Sequence, residues 1–104
     1  DKGLSMGEES IVEIKQSTIT NAEIGIASKD NSIVTINELS IDKSQTGITA
    51  FQKKPEFGPA VINATSLSML EVHNPFIIEK GSKVFVNNKK IDAKYQNVKD
   101  LFYN

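Results

Sequence analysis

The chain restates itself after 22 residues: "KGLSMGEESIVEI" from Lys2 returns in altered form as "IGIASKDNSIVTI" from Ile24. Aligned without gaps, residues 1–22 lie over 23–44. Gly3, Ser10, Ile11, Val12, Ile14 and Ile19 recur as Gly25, Ser32, Ile33, Val34, Ile36 and Ile41, while Leu4 becomes Ile26 and Thr18 becomes Ser40. A third unit opens at Gly47 with Gly-Ile-Thr-Ala. A fourth shows in "FIIEKGSKVFV", where Ser82, Val84 and Val86 echo Ser32, Val34 and Ile36. Self-similarity at such a period marks an architecture in which each unit covers its neighbour, because one unit alone cannot bury its apolar face.

Within each unit the apolar residues alternate over short runs, as in Val12-Glu13-Ile14, Val34-Thr35-Ile36 and Val84-Phe85-Val86. That is the period of a half-buried strand, and the residues between the runs are turn formers. Short strands stacked about 4.8 Å apart would form inward columns. These read Leu4-Ile26-Ile48-Phe76, Val12-Val34, Ile14-Ile36-Val86 and Ile19-Ile41-Met69. The expected fold is therefore all-β: a right-handed parallel β-helix, a solenoid of about four 22-residue coils with a short C-terminal helical cap. The left-handed alternative would run on hexapeptides. The expected segments are coils 1–22, 23–44, 45–73 and 74–92, with a cap over 93–104. In the cap, Tyr95, Val98, Leu101 and Phe102 fall on one helical stripe. "VNNKKI" at Val86 to Ile91 carries an Asn-Asn turn signal that predicts a hairpin.

Composition narrows the function classes. The 12 basic residues are all lysine and stand against 13 acids, so no strong field points to nucleic acid, and no arginine is present to read carboxylate or phosphate with two bonds. Cysteine is absent, which excludes disulfides and thiolate metal sites. No apolar run reaches the roughly 18 residues of a membrane span, so no membrane insertion is expected. The chain begins at Asp1 inside a repeat, which reads as a piece of something longer.

The third unit departs from the period. From Gly47 to Pro75 is 28 residues, and the excess centres on "FQKKPEFGPA" at Phe51 to Ala60, whose prolines and glycine predict a loop. Phe51, Lys53, Lys54, Glu56 and Phe57 are the candidate ligand-binding residues, an aromatic platform with polar neighbours of the kind a sugar ring stacks on. The competing reading is that Phe51 and Phe57 fold back to pin the loop.

Catalytic and metal signals are sparse. His73 is the single histidine, stands before Asn-Pro and has no nucleophile motif beside it. Glu8-Glu9 reads as a solvated pair on a turn, and "KDNS" at Lys29 to Ser32 lacks the ligand count calcium needs. Asn63-Ala64-Thr65 matches a glycosylation sequon without further support. No glycine-rich phosphate loop occurs. No catalytic residue, metal or cofactor is expected within the chain.

The four-unit pattern over about residues 3–92 resembles the pectin-lyase-like family of right-handed β-helices. "GITAFQKKPEFGPA" at Gly47 and "IEKGSKVFVNNKKI" at Ile78 look like the C-terminal coils of bacterial surface β-helix proteins with an upstream spore-coat-type kinase module. The resemblance implies an extracellular or cell-surface setting and polysaccharide as partner. Enzymes of that fold place an arginine or lysine base, or a trio of aspartates, on a strand face. Here Glu13, Lys15, Thr35 and Asn37 stand there instead, so no catalytic residue is carried over. The expected function is a non-catalytic terminal segment, a structural spacer or cap touching glycan through the Phe51–Ala60 loop. The alternatives are the last coils of a polysaccharide lyase or glycoside hydrolase with its chemistry upstream, and a protein-interaction module. A homodimer through the open N-terminal coil is the expected self-association.

Overall fold

The structure, a computed structural model, describes residues 2–103, with only the main chain of Lys2. The outermost residues of the first and last expected segments, Asp1 and Asn104, lie outside the described residues. Among the described residues ten strands and one helix follow in order: β1 (Lys2–Met6), β2 (Ile11–Ile14), β3 (Ser17–Thr20), β4 (Ile24–Lys29), β5 (Ile33–Ile36), β6 (Leu39–Phe51), β7 (Val61–Ala64), β8 (Leu67–Ile78), β9 (Lys83–Val86), β10 (Lys89–Lys90) and α1 (Val98–Tyr103).

The strands form two sheets of five. One runs β1-β4-β6-β3 with β8 also on β6; the other runs β10-β9-β7-β5-β2. The expected right-handed parallel β-helix, an extended solenoid of about four equal coils, is corrected by this arrangement. The molecule is a small compact domain with one sheet curled into a half-barrel, one mixed sheet and a helix on its flank. Its extents are 33 × 27 × 21 Å and its radius of gyration is 12.2 Å, close to the ~13 Å of a compact chain of this length. Two features of the chain account for the difference.

The first is that β6 and β8 are long and bent. Lys43 within β6 and Glu71 within β8 stand at φ 51° and 56°, and Asn21 between β3 and β4 at φ 59°. This left-handed conformation turns a strand sharply. β6 consequently takes β3 on its first part, at Ser17↔Leu39 to Thr20↔Asp42, and β4 on its second, at Ile24↔Thr46 to Lys29↔Phe51. One strand thus wraps two neighbours into a single curled sheet. The second feature is β10, which runs antiparallel to β9 through Lys89↔Val86 and makes the other sheet mixed. Its turn is Asn87-Asn88 at φ 52° and 66°, the conformation a two-residue hairpin needs.

Within the sheets, residue pairing follows the 22-residue alignment. Leu4 pairs with Ile26, Ile26 with Ile48 and Ile48 with Phe76. Val12 and Val34 continue through Ile62 to Val84, and Ala64, not recognised from sequence, stands between Ile36 and Val86. Ile26, Val34, Ile36, Leu39, Ile41, Ile48, Ile62 and Val84 are fully buried in one cluster between the sheets. Each contributes about 1.5–3 kcal/mol by leaving water. Gly25 is required here, because a Cβ would lie 2.6 Å from the Gly47 carbonyl oxygen and 2.9 Å from Ile41 Cδ1. A smaller cluster of Phe51, Ile77 and Val98, joined by Tyr95 and Phe102, lies on the outer face of the half-barrel. The predicted C-terminal helix therefore covers a sheet face rather than the open end of a coil. It is the Tyr95 main chain that covers the end of β8, donating to Ile78 O at 3.2 Å and accepting from Lys80 N at 2.9 Å.

Candidate binding site

The loop after β6 is held from three sides. Asp30, buried and at φ 50°, accepts the main-chain N–H of Lys53 at 2.8 Å and of Lys54 at 3.0 Å on one carboxylate oxygen. Two donors on one buried carboxylate fix the loop's entry, since charged acceptors make the stronger bonds. Gly58 donates no side chain where Asn31 approaches, and its carbonyl accepts Asn31 N at 3.0 Å. The Gln52 side-chain amide turns inward and donates to the carbonyls of Lys54 at 3.2 Å, Pro55 at 3.3 Å and Phe57.

The candidate residues separate in space. Phe51 is fully buried, its ring 5.7 Å from Phe102 and 6.3 Å from Tyr103. It offers no open face to a sugar and instead seats α1. Phe57 is half-buried, and Glu56 is exposed on the outside of the loop. Lys53 Nζ lies 4.1 Å from the centre of the Tyr103 ring, a cation–π contact, and Lys29 Nζ donates to the Tyr103 hydroxyl at 3.2 Å. Lys54 pairs with Glu8. That hydrogen bond, with the Glu8 charge, raises the Lys54 ammonium above its ordinary value. The ammonium side of this pair is lost as pH rises through the folded pKa.

Two clefts flank α1. One, of about 590 Å³, lies between the half-barrel face and the helix, lined by Glu23, Gln45, Asn74, Tyr95, Leu101 and Phe102 among others. The other, of about 420 Å³, lies between the loop and the approach to the helix, lined by Gln52, Lys53, Glu79, Lys80, Gln96 and Lys99 among others. Glu79 ties both walls of this second cleft together, accepting Gln52 N at 2.9 Å and Val98 N at 3.0 Å on its two oxygens. Sequence reading found Lys53 but missed Glu79, Asp30 and the Tyr95–Phe102 wall as loop and cleft residues. The cap stripe through Tyr95 and Phe102 was the available signal, yet it carries no information on which sheet face the helix meets.

His73 is exposed on β8. Among the described residues no group of three or more His, Asp or Glu could hold a metal ion, and no helix is long and apolar enough to cross a membrane. Comparison with protein-family models, curated proteins and solved structures finds no match. The resemblance to the pectin-lyase-like family and to kinase-linked surface β-helix proteins is thereby corrected, because neither a family model nor the two-sheet architecture supports it. Short alternating runs at a regular offset pair in parallel here without building the extended rod of that family.

Proposed function

We propose that this chain is a non-catalytic module of a surface or secreted protein, a compact spacer that contacts glycan in the cleft between the half-barrel and α1. One observation carries the reading: Tyr95 and Phe102 line the same cleft as Glu23, Gln45 and Asn74. A sugar ring has apolar C–H faces and a polar rim, and a cleft lined by aromatic rings together with amides and a carboxylate offers partners for both. Titration calorimetry against a panel of neutral oligosaccharides tests it. Binding that Asn74→Ala weakens, without loss of thermal stability, supports the reading; heat-silent titrations across the panel would overturn it. A second reading, a protein-interaction module, is favoured by the outward column of Ile11, which is 82% exposed, beside Ile33, which is 42% exposed. Capture of a stoichiometric protein partner that Ile11→Lys abolishes would support that reading instead.

A further inference from the structure

The cleft on the loop side of α1 has a different chemistry from the aromatic one. Lys53, Lys80 and Lys99 line it, and its one acid, Glu79, already has both oxygens on main-chain N–H donors. Among the described residues neither Lys80 nor Lys99 makes an ion pair. Three lysines against one carboxylate make the lining formally positive, with the Lys53 ammonium resting over the Tyr103 ring and Lys80 and Lys99 outside any ion pair, although the whole chain carries a net charge of −1. Unpaired lysines concentrated in a recess hold a positive potential that dispersed surface lysines do not.

We propose that this cleft binds the carboxylates of an acidic glycan. Without arginine the wall has no bidentate fork for carboxylate or for phosphate; its ammonium groups act as separate point charges, which suit anionic groups spaced along a polymer, and the neighbouring amides favour a polymer that also carries hydroxyls. Exposed Gln96 and Asn97 stand beside the lysines with amide groups able to meet the neighbouring hydroxyls. The proposal rests on the glycan reading for its sugar component alone, since the lysine wall exists whether or not the aromatic cleft is used.

The test is calorimetry on the whole chain with three probes: oligogalacturonate, the same oligomer fully methyl-esterified, and inorganic polyphosphate of equal charge. Oligogalacturonate should bind at least about tenfold more tightly than its ester and lose most of its affinity in 1 M salt, where screening reaches ~3 Å. Lys80→Gln and Lys99→Gln should each weaken binding by up to about fivefold, the reach of one exposed charge pair. Lys15→Gln, the same charge change in the turn between β2 and β3, should leave it unaltered. Equal binding of acid and ester would overturn the carboxylate site while leaving the glycan reading intact. Polyphosphate binding as tightly as oligogalacturonate would overturn it in favour of a general polyanion surface. No binding of any probe would overturn the proposal outright.

Discussion

Asp30 is the residue on which the loop's conformation turns. Its left-handed backbone suits glycine, so Asp30→Gly removes the carboxylate without adding strain, and the Lys53 and Lys54 N–H groups lose their shared acceptor. The expected cost is about 1.5–3 kcal/mol in urea unfolding, the range for bonds to a charged group. Amide exchange should quicken at Lys53 and Lys54; unchanged exchange there would show that the loop is held by other contacts. Two glycines give a sharper contrast. At Gly25 an added methyl meets the Gly47 carbonyl at 2.6 Å, and main chain cannot yield, so Gly25→Ala should cost about 1–3 kcal/mol. Gly7 has nothing within 4 Å of the same position, so Gly7→Ala should be neutral or stabilise by about 0.4–1 kcal/mol. Equal thermal shifts in the two variants would refute the close approach of β4 and β6.

At the scale of elements, the two sheets face each other through strict alternation on β5. Ile36 is 1% exposed between Ile14 and Ala64, whereas Thr35 faces solvent. Ile36→Asp should cost at least about 3–5 kcal/mol, because its charge would be buried unpaired, while Thr35→Asp should stay within about 0.5 kcal/mol. Chemical denaturation of both variants decides it, and similar midpoints would mean the register is wrong. The helix depends on β6 in the same manner. Phe51 fills the outer cluster with Ile77 and Val98, so Phe51→Ala should lose about 3–5 kcal/mol and free α1. Proton exchange at Val98 to Phe102 should then approach the unfolded rate, and continued protection would show that Glu79 alone anchors the helix.

The whole molecule has unlike ends. β9 is covered by β10 and the end of β8 by Tyr95, but β1, β2 and β3 pair on one side each. On β2, the carbonyls of Ser10 and Ile14 point to β5, so by alternation the main-chain groups of Ile11 and Glu13 point outward. The side chains behind these edges are less sealed than their partners: Met6, Ile14 and Ile19 are 7–8% exposed against 0–1% for Ser28, Ile36 and Ile41. An open edge backed by apolar residues invites strand pairing, and an edge that pairs with its own copy closes as a two-fold dimer. Light scattering over a concentration series should show dimer that Ile11→Lys converts to monomer. A monomer throughout the series would show that the edge is already sufficiently protected by its twist and by Glu13.

The neighbours of most strands were legible in the primary sequence, because Gly3 over Gly25 and Ile14 over Ile36 record which residues must share a column. The Asn87-Asn88 hairpin was legible for a related reason: a two-residue turn at positive φ selects its residues locally. The closure of those strands into a compact pair of sheets was not. It depends on bends at Lys43 and Glu71, residue types with no preference for the left-handed region, held there by the neighbours β6 and β8 must serve. The candidate site divides in the same way. Composition marked Phe51 as an anchor or a platform, and burial against Phe102 and Val98 decided between them. Lys53, Lys80 and Lys99 share a cleft because Glu79, together with the Phe51–Phe102 and Lys53–Tyr103 contacts, joins the loop to the helix, and contacts between residues so distant in sequence leave no local pattern to read.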